Sequence, residues 1–244
     1  MRAMILAAGY GTRLKPLTNT TPKALIEVQG KPLLEWVILK LRNNGVNSII
    51  INTHYLAPRI LNFLREKKFF DIHIEISHEE EILDTGGGIK RAVNFLKKND
   101  FFFVHNVDVL SDINLQSLVE FHKNANPMAT LFVQRRFSSR YLLFDEKHQL
   151  VGRATTDNSQ SNPSLTQFAF NGIHIISTKI FDFMPDLNSF SIIDVYLSLL
   201  KKDKKIMGYE NSACYWRDVG RLKSLEQIEL DFDNAVINRK LLLK

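Results

Sequence analysis

The feature that most constrains this chain is a rhythm of short apolar runs alternating with stretches of helical spacing. Arg2-Ala3-Met4-Ile5-Leu6-Ala7-Ala8 is apolar almost without a break, and Gly9 and Gly11 follow it. Such a run predicts a strand buried on both faces. Leu34, Val37, Ile38 and Leu41 fall at i, i+3, i+4 and i+7, and Gly45 follows, which predicts a helix over 32–44. The pattern continues with a strand at 48–52, a helix at 56–68 and a strand at 72–76. Gly86-Gly87-Gly88 then opens a helix to about Lys97, and a strand at 101–104 runs out toward Asn106 and Asp108. Strands separated by helices of this length imply right-handed βαβ units, so the expected fold class is α/β with a doubly wound, mostly parallel sheet. Ligands of such sheets bind beyond the carboxyl ends of the strands, which places the 9–11 loop and Asp108 in one crevice.

After about residue 128 the rhythm changes. Strands are expected at 128–133, 141–144, 150–153 and 168–176, with a polar loop at 154–166 and helices at 191–201 and 222–235. These read as small antiparallel additions at the C-terminal side. Nothing resembles a linker, so one domain over 1–244 is expected, with 1–127 and 128–244 as its two portions.

Charge and cysteine content narrow the chemistry. The net charge of +6 fits polyanionic small molecules, while the lysine pairs (Lys67-Lys68, Lys97-Lys98, Lys201-Lys202, Lys204-Lys205) fall at expected helix ends, where they complement the dipole. No nucleic-acid partner is expected. Cys214 is the one cysteine, so an intramolecular disulfide or a thiolate metal site cannot form. No stretch reaches membrane-span length and the N-terminus carries no secretory pattern, which points to no membrane partner and a cytoplasmic location.

Leu6-Ala7-Ala8-Gly9-Tyr10-Gly11-Thr12-Arg13 carries most of the chemistry. Its glycines let backbone N–H groups approach phosphates, and its alanines leave room for a flat base. Lys23, in Thr21-Pro22-Lys23, adds a second cation to Arg13, provided that the intervening loop folds back. Fixed cations suit the charge that moves onto a leaving pyrophosphate. A dinucleotide fingerprint is excluded because Leu14 stands where its third glycine belongs, and no Gly-Lys-Ser/Thr is present. Taken alone, the segment reads equally as an ordinary strand-to-helix turn with surface cations. Asp108 in Asn106-Val107-Asp108, and Asp218 in Trp216-Arg217-Asp218-Val219-Gly220, offer carboxylates suited to a magnesium ion, or else cap turns. Asp84-Thr85-Gly86-Gly87-Gly88-Ile89 offers free N–H groups to a base edge or ribose, or makes a tight turn into a helix.

Together these features resemble the sugar-nucleotide pyrophosphorylases, nucleotidyltransferases that act on sugar 1-phosphates. The strongest part spans residues 3–37, where Leu-Ala-Ala-Gly-x-Gly-Thr-Arg is followed by Thr-Pro-Lys and Gly30-Lys31-Pro32-Leu33. Asp84-Thr-Gly-Gly-Gly-Ile, Phe170-Asn171-Gly172-Ile173 and Trp216-x-Asp-Val-Gly are similar to the N-acetylmuramate 1-phosphate uridylyltransferase branch. The resemblance implies a Rossmann-like nucleotidyltransferase fold, with a nucleotide-binding portion at 1–127 and a sugar-binding portion at 128–244. It implies Arg13, Lys23 and Asp108 as catalytic residues, and Mg²⁺ on Asp108 and Asp218. Leu6, Ala7, Ala8, Gly9, Gly11, Thr12, Gly86 and Gly87 would form the nucleotide site, and Asn171 and Gly172 the sugar site.

The implied substrates are an NTP, with UTP first, and a sugar 1-phosphate such as N-acetylmuramate 1-phosphate. GTP with mannose or heptose 1-phosphate, and phosphocholine cytidylyl transfer, are the alternatives within the chemistry. An inactive nucleotide-sugar sensor is the alternative of another class, supported only by Val107, which replaces the family's usual Gly and is expected to shift Asp108 or narrow the space over the sugar. A monomer or small homo-oligomer is expected. Arg135, Arg136 and Arg140, with the 154–166 loop, read as surface charge or as contacts to an anionic acceptor.

Overall fold

The computed structural model describes residues 1–154 and 164–243. Most of the polar loop expected at 154–166 therefore lies outside the described residues. The strands are β1 (Arg2–Leu6), β2 (Glu27–Val28), β3 (Lys31–Pro32), β4 (Ser48–Thr53), β5 (His73–His78), β6 (Phe101–Asn106), β7 (Val109–Ser111), β8 (Ala129–Gln134), β9 (Tyr141–Phe144), β10 (Leu150–Arg153), β11 (Thr166–Ser177), β12 (Ile206–Glu210) and β13 (Trp216–Asp218). The helices are α1 (Leu33–Asn43), α2 (Ala57–Glu66), α3 (Asp84–Arg91), α4 (Val93–Leu96), α5 (Leu115–Ala125), α6 (Ile192–Leu200), α7 (Leu222–Asp233) and α8 (Arg239–Leu242).

Strands β6, β1, β4 and β5 lie side by side and parallel, with β1 between β6 and β4. The chain leaves β1 for a neighbour on one side and returns to the other, which makes the carboxyl end of β1 a switch point. The apolar run of β1 follows from this position. Ala3 and Ile5 pack into one core while Met4 packs into the core on the opposite face. The later strands join the same sheet: β11 runs antiparallel to β6, β8 and β9, and β12 pairs parallel with β8. The mostly parallel α/β sheet thus carries its antiparallel additions on the β6 side as one continuous layer.

A third apolar cluster joins Leu14 of the glycine-loop segment to Val28, Trp36, Leu110, Val219 and Ile228. It pins the 9–26 segment, the two-stranded β7–β13 ladder and α7 to one another.

The triple glycine differs from its expectation. Helix α3 starts at Asp84, so the glycines lie inside it, and a break at Ala92 separates α3 from α4. The N–H groups of Gly86 and Gly87 both donate to the Phe190 carbonyl and are not free. An added Cβ on Gly86 would enter the Phe190 ring, and one on Gly87 the Asn188 carbonyl oxygen. These glycines therefore allow the 186–190 segment to lie directly against α3. Gly87→Ala is expected to destabilise the protein by about 1–3 kcal/mol, despite alanine's better helix propensity, because the clash is with backbone. A thermal melt checks this; an unchanged or higher Tm contradicts the packing role.

Candidate active site

The crevice forms where β1, β4 and β6 end. Leu6 pairs with Asn52 on one side and Asn106 on the other. Asn52 accepts a hydrogen bond from the Ala7 N–H at 2.7 Å and donates to Glu79 at 2.8 Å. Glu79 also accepts from the Leu83 N–H at 3.1 Å. This buried pair fixes the chain as it leaves β1 and ties it to the start of α3. Ala7 and Ala8 are buried, whereas an added Cβ on Gly9 meets nothing, so the loop opens to solvent there.

Gly11 makes the turn. Its φ of +66° lies in the left-handed region, and a Cβ there would come within 2.9 Å of Thr18 and 3.0 Å of Lys23. The Gly11 carbonyl accepts from the Leu14 N–H and from the Thr18 hydroxyl, each at 2.9 Å. The segment thus folds back as expected. Thr12 and Arg13 sit on the 3-10 turn that follows Gly11, Leu17–Asn19 forms a second, and Lys23 begins a third after extended Pro22.

The Lys23 ammonium pairs with the Asp108 carboxylate. Asp218 reaches the same place through the β7–β13 ladder, in which it lies opposite Val109, and the Val219 N–H donates to the Asp108 carbonyl at 2.8 Å. A Cβ built on Gly220 would stand 2.6 Å from Asp218 Oδ1, 3.1 Å from Asp108 Oδ2 and 3.1 Å from an Arg13 terminal nitrogen. Four charged groups far apart in sequence therefore converge on one point. Burial raises the Asp218 carboxyl above its usual range and the Asp108 charge raises it further, against the Gly220 N–H, Lys23 and Arg13, which lower it.

A buried and a half-buried carboxylate that repel one another are a fitting pair for a divalent cation. Among the described residues no group of three or more His, Cys, Asp or Glu side chains could hold a metal. That donor set suits magnesium, which binds through one or two carboxylates and leaves its remaining positions to phosphate oxygens and water.

Val107 corrects its expectation. Its side chain is packed in the core with Ala7, Ala24 and Val109, its N–H donates to the Leu6 carbonyl, and its φ is not positive. It neither stands over the crevice nor needs a conformation reserved for glycine.

Asn171 and Gly172 lie where the β11–β8 register shifts, between Phe170 and His174. Gly172 has φ +77°, and a Cβ on it would come within 2.7 Å of the Asn106 amide at the end of β6. Asn171 accepts from Arg136 Nε at 2.8 Å through its side chain and from the Trp216 indole at 2.9 Å through its carbonyl. Gly86 and Gly87 sit apart from the charged group. A cavity of about 550 Å³ touches Gly87, Leu83 and Asn188, but Arg13, Lys23, Asp108 and Asp218 do not line it. The Asn52–Glu79 anchor and the Arg136–Trp216 contact have no counterpart in the sequence-derived site. Asn52 at the end of an apolar strand is the signal that could have found the first.

The profile of the Nucleotidyl transferase family matches residues 2–234. A mannose-1-phosphate guanyltransferase of Gibberella zeae is 35% identical over 230 residues, covering 91% of this chain, and the chain spans 62% of that protein's length. A UTP–glucose-1-phosphate uridylyltransferase of Synechocystis is 28% identical over 239 residues, and the chain spans 61% of it. Among solved structures, a Bacillus anthracis protein assigned to glucose-1-phosphate thymidylyl transfer and crystallised with sucrose superimposes with a TM-score of 0.80 at 21% identity, over 94% of each chain. HddC of Yersinia pseudotuberculosis in complex with GMP-PN gives 0.77 at 23% identity, over 95% of this chain and 99% of its own. The sheet with its antiparallel additions is shared with these structures, and the chain belongs to the Nucleotidyl transferase family.

Proposed function

We propose that this chain transfers a nucleotidyl group from an NTP to a sugar 1-phosphate, forming an NDP-sugar and pyrophosphate. The observation that carries the reading is the convergence of Arg13, Asp108 and Asp218 around Gly220, with Lys23 on Asp108, beside the open backbone at Gly9. An acceptor phosphate oxygen attacks the α-phosphorus, the α–β P–O bond breaks, and its electron pair departs on pyrophosphate. Arg13 and Lys23 stabilise the charge that develops on the leaving group, and the rigid strand ends hold the reactants in line. Asp108 and Asp218 are the residues that would hold Mg²⁺, which would supply charge neutralisation of the triphosphate. The backbone from Leu6 to Thr12 approaches the nucleotide, and Asn171 and Gly172 border the acceptor. Gly86 and Gly87 serve the nucleotide by holding α3 and the 186–190 segment together.

UTP is the first donor to test, on the Asp84-Thr-Gly-Gly-Gly-Ile and Trp216-x-Asp-Val-Gly patterns. GTP is the second reading, favoured by the 35% identity to a mannose-1-phosphate guanyltransferase. The test is Mg²⁺-dependent pyrophosphate release over UTP, dTTP, CTP, GTP and ATP against the 1-phosphates of N-acetylmuramate, glucose, mannose and heptose, and phosphocholine. A single active donor with a sugar acceptor is expected; a folded protein silent over the whole set contradicts the reading.

A further inference from the structure

Arg136 follows β8 and projects back over β13. Its guanidinium carbon lies 3.7 Å from the centre of the Trp216 ring. Nε donates to Asn171 Oδ1 at 2.8 Å, one terminal nitrogen to the Phe170 carbonyl at 2.9 Å, and the other to the Phe137 carbonyl at 3.2 Å. Every one of these acceptors is neutral. Among the described residues Arg136 has no carboxylate within ion-pair distance. A half-buried cation held without a counter-ion costs desolvation energy and is organised for an anion that comes from elsewhere. Three of its five N–H groups are used, which leaves one on each terminal nitrogen, the fork that fits an oxyanion.

Its position relates it to the crevice. Trp216 and Asp218 are two apart on β13, so they share a face and stand about 7 Å apart along the strand. The guanidinium stacked on Trp216 is therefore about one sugar ring from the Asp218 carboxylate, and the Asp218 charge acts on it against the effect of burial. Beside it, Asn171 is 1% exposed, and among the described residues its Nδ2 is a buried donor with no partner. A buried orphan donor next to an unpaired cation calls for an acceptor oxygen.

We propose that Arg136, backed by Trp216 and flanked by Asn171, is the specificity-determining residue of the acceptor subsite and binds an oxyanion of the incoming acceptor. This inference rests on the proposed transfer to a sugar 1-phosphate. The oxyanion is either the acceptor's own phosphate or a carboxylate on its ring, and the chemistry of recognition is the same for both. Arg13 and Lys23 serve the donor from the N-terminal side, and Arg136 serves the acceptor from the C-terminal side.

The test is calorimetric binding of mannose 1-phosphate and glucuronic acid 1-phosphate to the full chain, with α,β-imido analogues of UTP and GTP present. Wild type is compared with Arg136→Lys, Arg136→Gln and Trp216→Leu. Loss of one charge-assisted contact is expected to weaken acceptor binding roughly 10- to 100-fold in Arg136→Gln, with analogue binding unchanged. Arg136→Lys keeps the charge but not the fork and is expected to recover only part of the loss. Weakening of both acceptors identifies the phosphate, and weakening of the glucuronate alone identifies the carboxylate; either supports the proposal. Trp216→Leu supplies the answer if the Arg136 variants do not fold, with a smaller loss in the same direction. Wild-type binding that the variants leave unchanged overturns the proposal, as does a wild type that binds neither acceptor. Wild-type binding here, together with no pyrophosphate release from the unmodified NTPs and Mg²⁺, contradicts the transfer reaction and leaves the acceptor subsite standing.

Discussion

Asp108→Asn is expected to leave the fold intact and to lower turnover by about 10²–10³. The substitution preserves the shape of a side chain that is only 12% exposed, and the Asp108 carbonyl still accepts from Val219. What changes is charge. Lys23 loses its ion-pair partner, and Asp218 is left as the one carboxylate for a divalent cation. The two consequences oppose each other in stability, since an unpaired ammonium is unfavourable while the Asp108–Asp218 repulsion disappears. Circular dichroism and the melting temperature are therefore expected to stay near wild type as the rate falls. Activity within threefold of wild type would remove Asp108 from the chemistry.

The second large effect is acid lability. His105, His122 and His174 are buried, and burial holds them neutral, with pKa values pushed down to about 4, about 4 and about 3. For His105 the nearby Lys40 charge adds to burial, and for His174 the neighbouring His105 does. His122 bonds to the Thr130 hydroxyl and His174 to that of Tyr196. In the unfolded chain each titrates near 6.5. Above that pH both states are neutral and the stability is fully present. As pH falls below 6.5 the unfolded chain binds protons that the folded chain refuses, and stability drops until the folded pKa values are reached. Three such sites give a slope of about 4 kcal/mol per pH unit at its steepest. A protein of ordinary stability is then expected to unfold between pH 6 and about 4.5. Urea unfolding at half-unit steps from pH 7 to 5 measures the slope, and a flat profile would show that these histidines take up protons in the native state.

Much of this architecture is visible in the sequence for identifiable reasons. The inner strands of the parallel half are buried on both faces, which gives β1, β4 and β6 their continuous apolar runs, and the stripe of Leu34, Val37, Ile38 and Leu41 on α1 is regular because it faces the sheet core. Helix α5 was equally legible and has no counterpart in the expected elements. Asn114 caps it by accepting from Gln116 and Ser117, and Leu115, Leu118, Val119 and His122 form its buried face. Strands β7 and β13 were not legible, because three residues carry no period.

The same contrast holds for the site. Arg13 and Asp108 declare themselves by type and by position after strand ends, and Lys23 by its place in Thr21-Pro22-Lys23. Asp218 could be named from its motif, but its approach to Asp108 depends on the short β7–β13 ladder. Arg136 sits among other arginines in sequence, and only the Trp216 ring and the Asn171 amide distinguish it from Arg135, which is exposed. The glycines of α3 mislead in the opposite direction. A triple glycine at a helix start suggests free N–H groups, whereas a close backbone approach by residues 188–190 uses the same lack of side chains.

The most direct measurement follows oxygen. The acceptor sugar 1-phosphate that is active with this chain is labelled with ¹⁸O on its phosphate, incubated with its NTP and Mg²⁺, and the products are resolved by mass. Direct attack on the α-phosphorus predicts that all of the label enters the NDP-sugar and none enters pyrophosphate. Label in pyrophosphate or in free phosphate, or the absence of any NDP-sugar, contradicts nucleotidyl transfer to the sugar 1-phosphate.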